Sequence, residues 1–208
     1  MKNAPQHQKT RRGLLIAFLT ILTIVPVTSL HPGNAGEVTP PPFPANLQVP
    51  GESTAFLEGY ATGTQNYVCL PAGSGFAWAF LGPQAVVFDD RGNQIVTHFL
   101  SPNPSESGTP RATWVHSKDT STVWAVAIAS STDPDFVAPG SIPWLLLDVF
   151  GAQEGTNDGD RLVATSYIQR LNTTGGIAPG TGCSSAGDVG KRAFVPYTAD
   201  YFFYRTRE

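Results

Sequence analysis

Residues 168–190 read IQRLNTTGGIAPGTGCSSAGDVG, and this stretch decides between two kinds of fold. The run from Gly180 to Gly187 is built like a loop that cradles the phosphates of a dinucleotide. Such a loop must leave a buried strand and open a helix, so that the pyrophosphate meets the free N–H groups of the helix N-terminus. Here Gly175, Gly176 and Pro179 stand before the run, and Gly190 and Pro196 follow it. Neither strand nor helix fits in the required places. The glycines read instead as slack that delivers Cys183 to a disulfide.

The rest of the chain agrees. Short runs rich in Val, Ile, Phe, Tyr, Trp and Thr alternate with Gly, Pro, Asn and Asp, the pattern of strands joined by turns. Strands are expected over 55–69 (with a break at Gly59 or Gly63 weighed), 76–81, 85–88, 94–100, 111–116, 123–129, 142–150, 162–172 and 193–205. No segment keeps a helical period with caps. Roughly nine strands without helices predict an all-β single domain, either a sandwich or a closed barrel.

Alternation sorts side chains by face. Gln65, Tyr67 and Cys69 share one face. Trp124, Val126 and Ile128 form a bulky face opposite a small one of Val123, Ala125, Ala127 and Ala129. In IPWLLLDVF both faces are apolar apart from Asp148, so this strand should be central or covered on both sides. Arg170 shares a face with Ile168 and opposes Tyr167 and Gln169. If the Arg170 face points inward, its charge needs a carboxylate, and Asp148 is the expected partner.

The N-terminus carries an address. Lys2, Lys9, Arg11 and Arg12 precede an apolar run from Leu14 to Val27 and the small residues Gly33-Asn34-Ala35-Gly36, the order of a secretory signal peptide over 1–35. An uncleaved anchor is the alternative. Arg11-Arg12 before Leu14-Leu15 also fits a twin-arginine signal, so export runs by the Sec or the twin-arginine route, to periplasm, cell envelope or medium. No stable membrane span is expected after cleavage. Residues 36–50 hold five prolines, which forbid a helix and predict a linker or a strap over the β domain of 51–208.

Without the leader the chain has 9 Lys+Arg against 16 Asp+Glu, a net charge of −7. An acidic surface with no basic cluster excludes nucleic acid and anionic membrane as partners. Cys69 and Cys183, an even pair in an exported chain and outside any Cys-x-x-Cys arrangement, read as a disulfide.

Candidate chemistry is sparse. There is no Gly-x-Ser-x-Gly elbow, no His-Glu-x-x-His and no calcium loop, and EGTNDGD reads as a polar turn. Two histidines remain beyond the leader, His98 and His116. With Asp119 they could bind a metal, but strand histidines without that geometry are far commoner, so no metal and no cofactor is expected. Asn172-Thr173-Thr174 is a glycosylation sequon, relevant only in a host that glycosylates.

The stretches GTQNYVC, FAWAFLGPQAVVFDDRGNQIVTHF, SIPWLLLDV, YIQRLNTTGGIAPGTGC and VPYTADYFFY, in this order, resemble the domain-of-unknown-function family numbered 3455, over roughly Pro50 to Tyr204. That family consists largely of exported bacterial and fungal proteins. The resemblance implies that Gln65, Tyr67, Cys69, His98, Trp114, Trp144, Gln169, Arg170 and Cys183 occupy motif positions. Some fungal relatives carry a malate dehydrogenase label, to which a chain without a nucleotide loop lends no support. The family usually passes quickly from His through Gly-Pro to Trp. Here FLSPNPSESGTPRAT intervenes, which puts in doubt a site needing His98 and Trp114 side by side.

Two functions follow. The first is an exported binding or structural module with an aromatic-lined pocket or surface for a small molecule or envelope component, using Gln65, Tyr67, His98, Trp114, Trp144, Gln169 and Arg170. The second is an extracytoplasmic enzyme with His98 as general base, oriented by an acidic neighbour. Geometry discriminates them. An enzyme needs His98 within reach of a carboxylate and open to a cleft.

Overall fold

The computed structural model describes Met1 and residues 38–206, so the expected leader at 1–35 lies outside the described segment. Eight antiparallel strands close into a barrel in simple chain order: β1 (Ser53–Ala72), β2 (Gly75–Phe88), β3 (Gln94–Asn103), β4 (Thr109–His116), β5 (Thr122–Ser131), β6 (Trp144–Gln153), β7 (Tyr167–Gly175) and β8 (Arg192–Thr206). β8 closes on β1, from Ser53↔Thr206 to Val68↔Arg192. Closure removes the free sheet edges that an open sandwich would leave.

The expected strand count is corrected by one. Residues 76–81 and 85–88 form a single strand, because Gly82 takes a φ of 136° and absorbs a bulge opposite Asn66 and Tyr67 instead of ending the strand. β1 is likewise unbroken through Gly59 and Gly63. A Cβ on Gly63 would lie 2.2 Å from the Gln84 carbonyl oxygen, and one on Gly59 would lie 2.4 Å from Val87 Cγ1. These glycines let neighbouring strands approach where the wall coils tightly, rather than interrupting it.

Two apolar clusters lie on opposite faces of the wall. Inside, Val87, Val96, Val123, Leu162, Ile168 and Phe203 pack against one another. Outside, Leu47 and Val49 cover Trp144, Leu146, Leu171, Phe202 and Tyr204. The segment from Val38 to Pro50 thus lies along the outer wall, with one 3-10 turn at Ala45–Leu47. It is tied there by Gln169 Nε2 donating to the Leu47 carbonyl at 2.7 Å and Asn46 Nδ2 donating to that of Ser130 at 2.8 Å. This explains why IPWLLLDVF is apolar on both faces. Leu147 faces the interior, while Trp144 and Leu146 face the outer segment.

At one barrel end stand the short β2–β3 and β4–β5 turns, where Leu162 closes the interior and its N–H bonds Ser121 Oγ. The other end carries the β1–β2 and β3–β4 hairpins and the longer β5–β6 and β7–β8 connections. Cys69 and Cys183 are bonded, so the β7–β8 connection is fixed to the end of β1. Gly190 N–H donates to the Cys69 carbonyl and Cys69 N–H to that of Lys191, both at 2.9 Å. The opening stretch is therefore not uniformly slack. Around Gly180 a Cβ would meet nothing, but one on Gly176 would come within 3.0 Å of Ile142, Gln65 and Tyr197 side-chain atoms.

Candidate functional site

A cavity of about 250 Å³ opens at the end with the long connections. It exists because the inward residues of β5 are small. Ala125 and Ala127 line it, while Trp124 points outward and donates its Nε1–H to Ser101 Oγ at 2.9 Å. Pro83, Leu145 and Leu147 supply apolar wall, and Phe80 and Leu100 stand partly exposed at the rim. An apolar void of roughly 150 Å³ accepts a benzene ring, so this one has room for a ring with a substituent.

The polar lining comes from five strands. Gln65 projects from β1, His98 from β3, Trp114 from β4, Arg170 from β7 and Tyr201 from β8. His98 stacks on Trp114 with ring centroids 4.1 Å apart and planes 13° from parallel. Tyr201 meets both rings edge-on, at 5.2 Å from His98 and 5.6 Å from Trp114.

His98 Nδ1 lies 2.9 Å from the Thr113 carbonyl oxygen. A carbonyl only accepts, so Nδ1–H donates and Nε2 keeps the lone pair. Burial pushes the imidazole down to about 3, against the carbonyl's pull and with help from the positive Arg170. His98 is thus a neutral ring at ordinary pH. Burial raises the Tyr201 and Tyr197 phenols too, leaving both protonated.

Three buried N–H groups of this lining have no hydrogen-bond partner among the described residues: Gln65 Nε2, Trp114 Nε1 and Arg170 Nε. The Gln65 amide lies near the Tyr197 phenol, close enough to lower its pKa, yet without hydrogen-bond geometry at Nε2. Arg170 uses one NH2 group on the Pro143 carbonyl at 2.8 Å. Each orphaned donor costs about 1–3 kcal/mol in a dry interior. At the rim, Arg111 is neutralised by Glu106, through Nε at 2.8 Å and an NH2 group. No ion pair within 4.0 Å forms at Arg170 among the described residues. The lining therefore combines buried donors and one positive charge with acceptors at His98 Nε2, Gln65 Oε1 and the Tyr201 hydroxyl.

Of the seven residues expected to bind, Gln65, His98, Trp114 and Arg170 line this cavity. Tyr67 lies beside it, its hydroxyl donating to the Gly176 carbonyl at 2.7 Å and its ring 5.5 Å from Phe80. Trp144 and Gln169 point the other way, into the outer cluster. Trp144 packs on Phe136 at 5.9 Å, and Gln169 Oε1 accepts from the Tyr204 hydroxyl. Tyr201 had no place in the expectation, although its spacing with Tyr197 and Ala199 puts all three on one face.

Two further expectations are corrected. His98 and Trp114 are direct cross-strand partners, because the intervening residues lengthen the β3–β4 hairpin symmetrically out to Asn103↔Thr109. The inserted turn is capped by Asn103 Oδ1, which accepts from Ser105 N–H at 3.0 Å. The Arg170–Asp148 pair does not form. Arg170 faces the interior with Ile168 and stands opposite Leu145, whereas Asp148 stands opposite Tyr167 on the outward parity of β6.

The second histidine belongs to the closed end. His116 Nδ1 lies 2.9 Å from Asp119 Oδ1. Burial pushes the Asp119 carboxyl up, but the Arg161 N–H and the Ser121 hydroxyl and N–H bring it down to about 2. Asp119 clamps the β4–β5 turn to the middle of the β6–β7 connection, accepting from Ser121 Oγ and from the Arg161 N–H. Among the described residues no three His, Cys, Asp or Glu side chains converge as a metal site.

A closed antiparallel barrel, plugged at one end and hollow with a polar lining at the other, defines the class of small β-barrels with an interior pocket. A family model described as "Protein of unknown function (DUF3455)" matches residues 50–205, and the chain belongs to that family. Comparison with curated proteins and with solved structures returns no match.

Proposed function

We propose that this chain is an exported binding module whose barrel cavity takes a small organic molecule. One observation carries the reading. Gln65, Trp114 and Arg170 line the cavity, and each carries a buried N–H group that finds no hydrogen-bond partner among the described residues. A core selected only for stability would satisfy or replace such donors. The stacked His98–Trp114 pair and Tyr201 offer flat faces beside them, as expected of a pocket for a planar ligand.

Export is supported by the order of charged, apolar and small residues before Glu37, and by a disulfide, a bond that persists in oxidising compartments. Among the described residues no helix is long and apolar enough to cross a membrane. The enzyme reading is less favoured. His98 is held by a backbone carbonyl instead of a carboxylate, and a base so far below neutral takes up a proton poorly.

Thermal-shift measurements with ring-sized organic molecules and divalent metals test the binding reading. A concentration-dependent rise in Tm with an organic ligand is expected. N-terminal sequencing of protein recovered outside the cytoplasm tests export. A chain found only in the cytoplasm and starting at Met1 overturns it.

A further inference from the structure

We infer that the cavity's ligand is an organic monoanion, a carboxylate carried on a flat apolar body, with the carboxylate received by Arg170, Gln65 and Trp114. This rests on the binding reading above and names the class of ligand for that site.

Charge comes first. Arg170 brings one positive charge into the lining, and its guanidinium has no acidic partner among the described residues. The remaining lining near it is neutral: Gln65, Trp114, the unprotonated His98 and the protonated Tyr201. Arg111, the other cation of the lining, is already paired with Glu106. Arg170 is half-buried with its Nε shut from water, so its charge is incompletely hydrated and a single negative charge would supply the missing partner. A dianion such as sulfate would leave the pocket negative.

Hydrogen bonding comes second. The three unpartnered groups are all donors, and an ionised carboxylate is acceptor-only, with room for about four bonds. A neutral alcohol or amide would leave the Arg170 charge without a counter-charge. Shape comes third. Leu145, Leu147, Ala125 and Ala127 form an apolar remainder that a bare inorganic anion would leave without contacts. A ring bearing one carboxylate satisfies both halves.

Calorimetric titration of the purified full chain with sodium benzoate, benzyl alcohol, sodium chloride and sodium sulfate distinguishes the possibilities. Tryptophan fluorescence gives a second readout, because Trp114 lines the site. Benzoate should bind at least about tenfold more tightly than benzyl alcohol, since hydrogen bonds to a charged group exceed those to a neutral one by that order. Arg170→Gln should weaken benzoate by about 10- to 100-fold and benzyl alcohol by much less. Should that variant not fold, Trp114→Phe and Gln65→Leu each remove one donor, and each should weaken benzoate by about threefold to tenfold. Benzyl alcohol binding as well as benzoate would overturn the anion while leaving the binding reading in place. Chloride or sulfate binding as tightly as benzoate would overturn the organic body. No binding by any of the four, in calorimetry or fluorescence, would overturn the pocket itself and this inference with it.

Discussion

His98 and Trp114 lie face to face, 4.1 Å between ring centroids, as directly opposed residues of β3 and β4. The contact seals the floor of the cavity and takes His98 almost wholly out of water. A charged imidazole there would lose its hydration while facing Arg170, so the folded state holds the ring neutral.

Stability should therefore fall on mild acidification. The His98 pKa drops from 6.5 in the unfolded chain to about 3 in the fold, so between these values the unfolded state binds the extra proton. Stability rises with pH through that window and is fully present above 6.5. At pH 4.5 the loss attributable to His98 is about 2–3 kcal/mol. His116, also lowered by burial, adds in the same direction. Asp119, held at about 2, acts only at lower pH, as its carboxylate protonates. Urea unfolding of His98→Gln at pH 7 and pH 4.5 should show a smaller pH dependence than the parent. An unchanged dependence would show that His98 is not the proton acceptor.

Removing the disulfide should cost much of the fold's stability. Cys69 and Cys183 are 114 residues apart, and closing so long a loop restricts the unfolded chain by about 4–5 kcal/mol in the chain-entropy model. A Cys69→Ser, Cys183→Ser double variant should shift the urea midpoint accordingly. Its β7–β8 connection should also exchange amide hydrogens faster than the barrel strands, because that connection loses its covalent tie. A midpoint within error of the parent would place the stabilisation elsewhere.

Glycines of one sequence type should respond differently. Gly63→Ala sets a methyl against the Gln84 carbonyl and the Ala85 backbone, which cannot move without opening the β1–β2 ladder. A loss of about 1–3 kcal/mol or more is expected. Gly180→Ala meets nothing within 4 Å and has no left-handed φ, so its Tm should stay with the parent. Equal losses at both sites would contradict the wall geometry.

Strand identity and the two-faced burial of IPWLLLDVF are readable because period-2 alternation and turn residues are local signals, and the disulfide because a chain that reads as exported holds a single pair of cysteines. Which face is inward was not. Alternation groups Ile168 with Arg170 and Tyr167 with Gln169, but it is silent on which pair enters the barrel. Burial could not settle the matter, because the outer segment covers the opposite face. Gln169 is as inaccessible as Ile168, yet it bonds Leu47 on the outside. Trp144 joins the outer cluster by the same mechanism. The join of 76–81 to 85–88 is not legible because glycine and proline serve a bulge as readily as a turn. The proximity of His98 and Trp114 depended on register, and a symmetric hairpin extension leaves register intact.

Neighbours on β7 should thus separate cleanly. Gln169→Leu removes the donor to Leu47 and the acceptor for Tyr204, leaving a buried hydroxyl without its partner. A loss of about 1–3 kcal/mol is expected, with faster amide exchange over residues 38–50. Benzoate affinity measured on the folded variant should not change, because Gln169 lies across the wall from the cavity.

Arg170 should behave in the opposite way. Had it formed a buried pair with Asp148, deleting it would leave an uncompensated carboxylate and cost about 3–5 kcal/mol. Asp148 instead lies on the outward parity of β6, so no acid is orphaned when Arg170 is removed. The substitution forfeits one bond, to the Pro143 carbonyl, and eliminates a charge held in an otherwise neutral lining. Arg170→Met keeps much of the side chain's length and apolar stem. Its unliganded stability should match the parent or exceed it by up to about 1 kcal/mol, because the half-buried guanidinium is only partly desolvated. Asp148→Ala, at a half-buried position whose carboxylate has no hydrogen bond or ion pair among the described residues, should stay within about 0.5 kcal/mol. Urea midpoints of both variants without ligand decide the point. A large loss in Arg170→Met, echoed by a similar loss in Asp148→Ala, would mean that the two side chains form a pair in solution.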